Sequence, residues 1–173
     1  ILLVADEVVT AFGRLGSMFG CDHYGISPDL ITIAKGLTSA YAPLSASIIS
    51  EGMWKVLVAG SDRFGPIGHG WTYSAHPICA AAAVANLELV DSLGLVANAA
   101  ATGSYLQNSL RNAFEGHKYV GDVRGEGLLA AIEFVADRRR HQHFDPGLKI
   151  GAKVSAALLE NGVIARAMPQ GDI

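Results

Sequence analysis

Two residues with reactive side chains stand where short apolar segments end. The segment ILLVADE closes on Asp6 and Glu7, and the segment LITIAKG carries Lys35 just before Gly36. Each segment is typical of a buried strand, and ligands of open α/β sheets bind beyond the carboxyl ends of the strands. A carboxylate there can hold a cationic N–H group, and a deprotonated lysine amine can form a Schiff base.

Pyridoxal phosphate (PLP) requires this pair, a carboxylate for its pyridinium nitrogen and a lysine for its aldehyde. Taken singly, each residue has a plainer interpretation: Lys35 as a surface lysine at a strand end, and Asp6 as a carboxylate that caps a turn. An apolar strand ending in Asp-Glu also resembles the Mg²⁺-binding strand of P-loop ATPases. That interpretation needs a G-x-x-x-x-G-K-[ST] loop, and the sequence has none.

A third candidate is the stretch from Gly68 to Pro77, which joins a glycine-rich loop to a predicted helix. Backbone N–H groups at such a junction favour an anion, and the Thr72 hydroxyl can add a hydrogen bond, so a phosphate would suit it. An ordinary helix start capped by Ser74 or His76 explains the stretch equally well. His69 and His76 lack a third nearby ligand, so no metal site is predicted.

The fourth candidate is Arg166, at the end of a predicted strand over 163–166. Its guanidinium could bind a substrate carboxylate through two parallel hydrogen bonds. On its own, the residue is more typical of an exposed surface than of a binding site.

Strands and helices alternate over the first part of the chain, and the composition changes near Gly116. We therefore predict an α/β domain over 1–115 and part of an α+β domain over 116–173. The predicted strands cover 1–5, 30–34, 45–49, 119–124, 128–135 and 163–166. The predicted helices cover 51–58, 78–93, 95–114 and 147–160.

Composition limits the function classes. Half of the 173 residues are apolar and 17% are charged, which is typical of a globular protein. The net charge of -3 argues against a nucleic-acid surface. No apolar run is long enough to span a bilayer, and the two cysteines fit no metal or redox spacing, so we predict a cytoplasmic protein without a membrane partner. Because the chain starts inside a strand and without Met, we expect a piece of a larger protein.

Four motifs in order carry a family resemblance over nearly the whole chain. They are DEVVTAFGRLG (6–16), PDLITIAKGLTSAYAPLSA (28–46), GHGWTYSAHPICAAAAVANLEL (68–89) and VRGEGLLAAIEF (123–134). Together they closely resemble class III (ω-amino acid or amine:pyruvate) aminotransferases. The resemblance implies a fragment of a fold-type-I PLP enzyme. It would hold part of the large domain, with a mixed and mostly parallel sheet, and the start of the α+β C-terminal small domain.

The resemblance also implies roles for residues of the first two motifs. Asp6 matches the aspartate that pairs with the pyridine nitrogen, and Val8 matches the apolar residue against one ring face. Lys35 matches the lysine that forms the Schiff base with PLP and moves the proton between Cα and C4′. The family usually has glycine where Ser39, Ala40 and Ser45 stand. Losing glycine there would disfavour a positive φ.

Three further residues are matched in the later motifs. Thr72, with the Trp71 backbone, matches the pair that reaches the cofactor phosphate of the neighbouring subunit. Arg166, in VIARAMPQGD, matches a mobile arginine that binds the substrate carboxylate in many members. The family's phosphate-binding Gly-Ser loop and its ring-stacking aromatic residue are expected before residue 1.

The resemblance implies a homodimer with shared active sites that moves an amino group from an ω-amino acid or amine to a keto acid such as pyruvate. Two alternatives stay open at this point. One is a related fold-type-I PLP enzyme, an aminomutase or a racemase, and the other is an inactive truncated scaffold.

Overall fold

The computed structural model describes residues 1–168 and 172–173. Residues 169–171 of the segment VIARAMPQGD lie outside the described residues. The chain divides into two compact units, 1–102 and 103–173.

A three-stranded mixed sheet organises the first unit. Its strands are β1 (Val4–Asp6), β2 (Leu30–Ile33) and β3 (Ala46–Ile49), in the order β1-β2-β3. β1 and β2 run parallel with Asp6 beside Thr32, whereas β3 runs antiparallel to β2. The parallel β1–β2 pair therefore brings two carboxyl ends to one edge of the sheet.

The helices of the first unit begin and end with recognisable signals. They are α1 (Gly20–His23), α2 (Glu51–Phe64), α3 (Pro77–Ser92) and the first half of α4 (Leu95–Ala113). The Ser50 hydroxyl accepts a hydrogen bond from the Met53 N–H at 3.3 Å and so caps α2. α2 is longer than the predicted 51–58 because nothing breaks it before Gly65, where φ reaches +86°. Pro77 occupies the first turn of α3, which begins one residue before the predicted start at 78.

The core of the first unit lies between α3 and the sheet. Ala83 of α3 packs in one buried cluster with Ile33 of β2, Leu37 and Ala11. Phe12 and Leu87 are among the partly buried side chains against this cluster. Because Leu37 ends a short 3₁₀ turn, Lys35–Leu37, the cluster anchors the segment that carries Lys35.

The second unit is built on a β-hairpin. The strands β4 (Val120–Glu126) and β5 (Leu129–Phe134) pair antiparallel, and α5 (Ile150–Glu160) follows. On α4, the Gln107 amide donates to the carbonyls of Gly127 and Leu129 at 3.1 and 2.8 Å. A Cβ at Gly103 would lie 2.6 Å from the Gly127 backbone, so only glycine permits this close approach. The division between the two compact units falls within α4, after Thr102. The predicted domain boundary at 115/116 stays a prediction.

Two predicted elements of the second unit differ in the structure. α5 begins at Ile150 rather than 147, because Pro146–Leu148 form a 3₁₀ turn and Lys149 then takes a left-handed φ of +50°. The predicted strand over 163–166 is wrong. The Val163 N–H donates to the Leu158 carbonyl, and the Ser155 hydroxyl donates to the Ala165 carbonyl, so this segment bonds to α5. The Phe134 N–H of β5 donates to the Asp172 carbonyl and not to this segment.

Within residues 1–168 and 172–173, no single helix is long and apolar enough to cross a bilayer. α3 and α4 meet that criterion only when they are taken together, and the chain bends sharply between them.

Candidate active site

The parallel strands place Asp6 and Lys35 at the same edge of the sheet. Asp6 is the last residue of β1 and lies in register with Thr32 of β2. Lys35 follows the end of β2 by two residues and opens the 3₁₀ turn. The two side chains that the sequence singled out are therefore brought to neighbouring strand ends, which is the arrangement that the sequence predicts.

Asp6 keeps one carboxylate oxygen open. Its Oδ1 accepts a hydrogen bond from the Val8 N–H at 3.1 Å and a long one from the Thr32 hydroxyl at 3.4 Å. Its Oδ2 has no hydrogen-bond partner among the described residues, and the residue is exposed in this chain. The two bonds fix the direction of the carboxylate, while Oδ2 stays free to accept from a ligand N–H group.

Lys35 stands in a constrained backbone conformation. Its φ is +40°, in the left-handed region that costs a side-chain-bearing residue about 1–2 kcal/mol. Its carbonyl accepts hydrogen bonds from the N–H groups of Thr38 and Ala40, at 3.2 and 3.0 Å. The amine makes no hydrogen bond or ion pair within the described part of the chain.

Glu7 is a buried residue whose role the sequence did not reveal. It is 3% exposed, and its carboxylate accepts hydrogen bonds from the backbone N–H groups of Gly20 and Cys21, at 2.8 and 2.6 Å, and from the Thr10 hydroxyl. Burial raises the pKa of Glu7, but these hydrogen bonds lower it by more, so that the pKa lies below its usual 4.5. Glu7 thus joins the two ends of the loop that follows Asp6. No local sequence pattern indicates these hydrogen bonds, because Gly20 and Cys21 lie 13 and 14 residues further along the chain.

Val8 lies in that loop directly after the strand end. It is half-buried, and its N–H is the donor that orients the Asp6 carboxylate. Its position beside Asp6 is compatible with the ring-packing role that the resemblance implies.

Trp71 and Thr72 lie in an exposed loop before α3. Trp71 is 72% exposed, and its backbone N–H and carbonyl bond to the hydroxyl and the N–H of Ser74, at 3.3 and 2.9 Å. The Trp71 ring contacts only the His69 ring edge-on at 4.6 Å among the described aromatic contacts. The Thr72 hydroxyl has no hydrogen-bond partner in the residues described, so it is open to a ligand.

Arg166 lies in the second unit, in the irregular segment after α5. The residue is exposed and borders an apolar cavity of about 600 Å³ that α5 and β5 also line. Its role as a carboxylate ligand stays a prediction.

The donor set at the sheet edge fits the cofactor that the sequence suggests. A carboxylate oxygen without a protein partner can accept from a pyridinium N–H, and an amine without a counter-ion can bond to an aldehyde carbon. Within the part of the chain that the structure describes, Asp6 and Lys35 supply these two groups. The open hydroxyl of Thr72 can donate to a phosphate.

Comparison with known proteins gives a family for the whole arrangement. The model of the family "Aminotransferase class-III" matches residues 1–172. Members of this family depend on PLP.

Individual relatives agree with the family model. Diaminobutyrate--2-oxoglutarate transaminase of Halomonas elongata is 60% identical over 173 residues, which is all of this chain and 37% of that protein. A structure from the directed evolution of transaminases by ancestral reconstruction is 65% identical, with a TM-score of 0.97 over 99% of this chain and 38% of that one. The ω-transaminase of Pseudomonas jessenii in complex with PMP is 39% identical, with a TM-score of 0.91 over 99% of this chain and 37% of that one. The chain thus spans less than two fifths of the length of these proteins.

Proposed function

This chain belongs to the class III aminotransferases, and on that premise we propose that the protein carrying it is a PLP-dependent transaminase. The observation that carries the proposal is the common sheet edge of Asp6 and Lys35. Among the described residues, one side chain offers a carboxylate oxygen without a partner and the other an amine without a partner, at the ends of two parallel strands.

The residues at this edge divide the work. When bound, PLP supplies an electron sink that stabilises negative charge at the substrate Cα. Asp6 Oδ2 would accept the ring N–H hydrogen bond and keep that nitrogen protonated, and Val8 would pack on the ring. Lys35 Nζ would hold the cofactor covalently and, once released by the amino substrate, take the proton from the substrate Cα.

The exposed loop supports a second part of the proposal, a homodimer with shared sites. Trp71 and Thr72 are open to contacts from outside their own unit, and the Thr72 hydroxyl is unpaired among the described residues. In the proposed dimer, the Thr72 hydroxyl and the Trp71 backbone bind the cofactor phosphate of the neighbouring subunit. Arg166 is proposed to bind the substrate carboxylate through its guanidinium.

For substrates, we propose an ω-amino acid or amine as the donor and a keto acid such as pyruvate as the acceptor. The name of the Halomonas relative specifies diaminobutyrate and 2-oxoglutarate, and that of the Pseudomonas jessenii protein an ω-transaminase. Both names are consistent with a donor whose reacting amine lies away from an α-carboxylate. Parallel assays with pyruvate and 2-oxoglutarate would identify the acceptor. A cytoplasmic location stays a prediction.

Lys35 provides the deciding experiment. In the full-length protein, Lys35→Ala removes both the covalent attachment and the proton carrier, so we expect turnover to fall by at least about 10²-fold. Lys55→Ala is the matched control, because Lys55 is an exposed lysine paired with Glu51 on α2. Transamination of a donor by a keto acid, followed by product analysis, would separate a transaminase from a racemase or an aminomutase. Full turnover in Lys35→Ala would refute the assignment.

A further inference from the structure

We propose that Asn86, on α3, is a positioning residue that holds the backbone turn from which the Lys35 side chain projects. The inference rests on the proposed function, because it assigns a role toward the lysine that binds the cofactor. Asn86 is distant from Lys35 in the sequence. It is not one of the two residues, Asp6 and Lys35, that make up the cofactor pair.

The backbone turn at Lys35 has an unfavourable conformation that other contacts must stabilise. Lys35, Ser39 and Ala40 all have positive φ, at +40, +50 and +62°. Side-chain-bearing residues persist in this region only when the surrounding structure fixes them. The direction of the Lys35 side chain is therefore set by contacts made elsewhere in the turn, which we define as residues 35–42 and call the lysine turn.

Asn86 supplies such contacts from one side. Its Nδ2 donates to the carbonyl of Gly36 at 2.8 Å and to that of Leu37 at 3.2 Å. These carbonyls belong to the two residues that follow Lys35. On α3, Ala83 and Leu87 lie before and after Asn86 and pack into the core cluster, so the helix presents the amide from a fixed position.

Phe12 also packs close to Gly36 of the turn. A Cβ added to Gly36 would lie 3.0 Å from Cδ2 of Phe12, and Phe12 is itself packed against the core cluster. Gly36 thus has two close neighbours, the Phe12 ring and the Asn86 amide. A shift of Gly36 would carry Lys35 with it, since the two residues are adjacent.

Ser39 adds a third hydrogen bond to the amide. Its hydroxyl donates to Asn86 Oδ1 at 2.5 Å, so that both the oxygen and the NH₂ group of the Asn86 amide have partners. Ser39 stands where the resembled family usually has glycine, and it keeps a positive φ. Its hydrogen bond offsets part of the cost of that conformation and ties the far end of the lysine turn to the same side chain.

The test uses the full-length protein and measures two quantities besides turnover. The first is the rate at which Lys35 captures PLP covalently, fixed with borohydride and quantified as the mass of the Lys35 peptide. The second is the melting temperature without cofactor. Asn86→Asp keeps the acceptor for Ser39 but replaces both donors with an oxygen, and Asn98→Ala, on the exposed face of α4, is the matched control.

We expect Asn86→Asp to slow covalent capture and to lower kcat by about 10²-fold, because small displacements of a reacting group are that costly, with the KM of the amino donor little changed. Asn98→Ala should leave capture and turnover within about twofold of the wild type. Ser39 is exposed, and Ser39→Ala removes one hydrogen bond to Asn86. This variant should slow the covalent capture of PLP by about threefold. In an Asn86→Ala background, Ser39→Ala should have no further effect, because the bond is already absent.

The outcomes separate the two proposals. If the wild-type protein captures PLP at Lys35 and both Asn86→Asp and Ser39→Ala capture it at the wild-type rate, the positioning role is wrong and the proposed function stands. If Asn86→Asp fails to fold, a capture rate in folded Ser39→Ala equal to that of the wild type overturns the inference. If the wild-type protein does not capture PLP at Lys35, the proposed function and the inference both fall.

Discussion

The lysine turn and the loop before α3 are stabilised in opposite ways. The lysine turn (35–42) is fixed by contacts within its own unit. The Asn86 amide donates to two of its carbonyls, and the Thr38 hydroxyl donates to the Ala42 carbonyl at 2.7 Å. Leu37 packs in the core cluster. The loop over 65–76, which we call the tryptophan loop, is exposed at every position except His76. The hydrogen bonds within it that the structure describes join Trp71 and Ser74.

The difference indicates how the proposed site is divided. The groups that would perform chemistry, on Asp6 and Lys35, are oriented by contacts within the first unit, at the sheet edge and in the turn beside it. The residues assigned to the phosphate, Trp71 and Thr72, have few contacts in their own unit. Such a division suits a shared site, in which each subunit orients its own reactive groups and lends an open loop to its neighbour.

The largest effect is expected from Asp6→Asn, which tests the chemical half of the comparison. Asparagine keeps an Oδ1 for the Val8 N–H but removes the negative charge proposed to hold the ring proton. We expect kcat to fall by about 10²–10³-fold, as for the loss of other electrostatic stabilisers, and the melting temperature to stay unchanged. Steady-state kinetics on the full-length protein measures this, and kcat close to that of the wild type would remove Asp6 from its role.

A pair of threonine variants compares the two segments directly. Thr38→Val leaves the Ala42 carbonyl without its donor in a site that is 2% exposed, so we expect a stability loss of about 1–3 kcal/mol. Thr72→Val removes an exposed hydroxyl with no partner among the described residues, so stability without cofactor should not change. Its loss should instead weaken PLP binding by about tenfold, the effect of one hydrogen bond to a charged group.

Cofactor titration and urea unfolding without cofactor distinguish the two variants. The comparison fails if Thr72→Val destabilises the cofactor-free protein as strongly as Thr38→Val does. It also fails if Thr72→Val binds PLP with wild-type affinity.

Sequence patterns predicted most of the fold because the signals are local. The apolar runs of β1 and β2 and the helix signal at Pro77 need only their neighbours to be recognised. The prediction of a strand over 163–166 was wrong, because a short apolar run does not indicate which sheet edge, if any, it pairs with. In the structure, the Phe134 N–H at the edge of β5 bonds to the Asp172 carbonyl instead.

The site was predictable to the same extent. Asp6 and Lys35 follow strands, so their shared edge could be inferred from the order of the elements. Glu7 and Asn86 could not be found in this way, because their partners lie far along the chain: Glu7 bonds to Gly20 and Cys21, and Asn86 bonds to residues of the lysine turn. Contacts of this kind depend on how the loops fold, which no local periodicity encodes.

Glu7 gives a pH-dependent test of the self-supported region. Its pKa is lowered in the folded chain from 4.5, so its carboxylate contributes stability above the unfolded pKa, and this contribution is lost as the pH falls through the lower, folded pKa. Glu7→Gln should cost about 1–3 kcal/mol near neutral pH, because an amide group then faces the backbone donors. The difference from the wild type should shrink as the pH is lowered below about 4.5.

Urea unfolding of both proteins at several pH values measures this difference. A gap between the two proteins that stayed constant down to acid pH would show that the Glu7 charge does not stabilise this loop. Glu88→Gln is the matched control, because Glu88 is an exposed glutamate on α3, and it should leave the pH profile unchanged.

The smallest effect is expected from Ala40→Gly, and its sign tests whether the lysine turn is strained. Ala40 is exposed and has a φ of +62°, a conformation that costs alanine about 1–2 kcal/mol. Glycine removes this cost but loses more backbone entropy on folding, by about 0.5–1 kcal/mol. The first effect is the larger, so Ala40→Gly should stabilise the protein by about 0.5 kcal/mol.

Ala59→Gly is the matched control, because Ala59 lies in the middle of α2 and has an ordinary helical conformation. This substitution should destabilise the protein by about 0.5–1 kcal/mol. Urea unfolding of the two variants, without cofactor, should therefore give shifts of opposite sign. Two shifts in the same direction would mean that the turn around Lys35 stores no strain that a glycine can release.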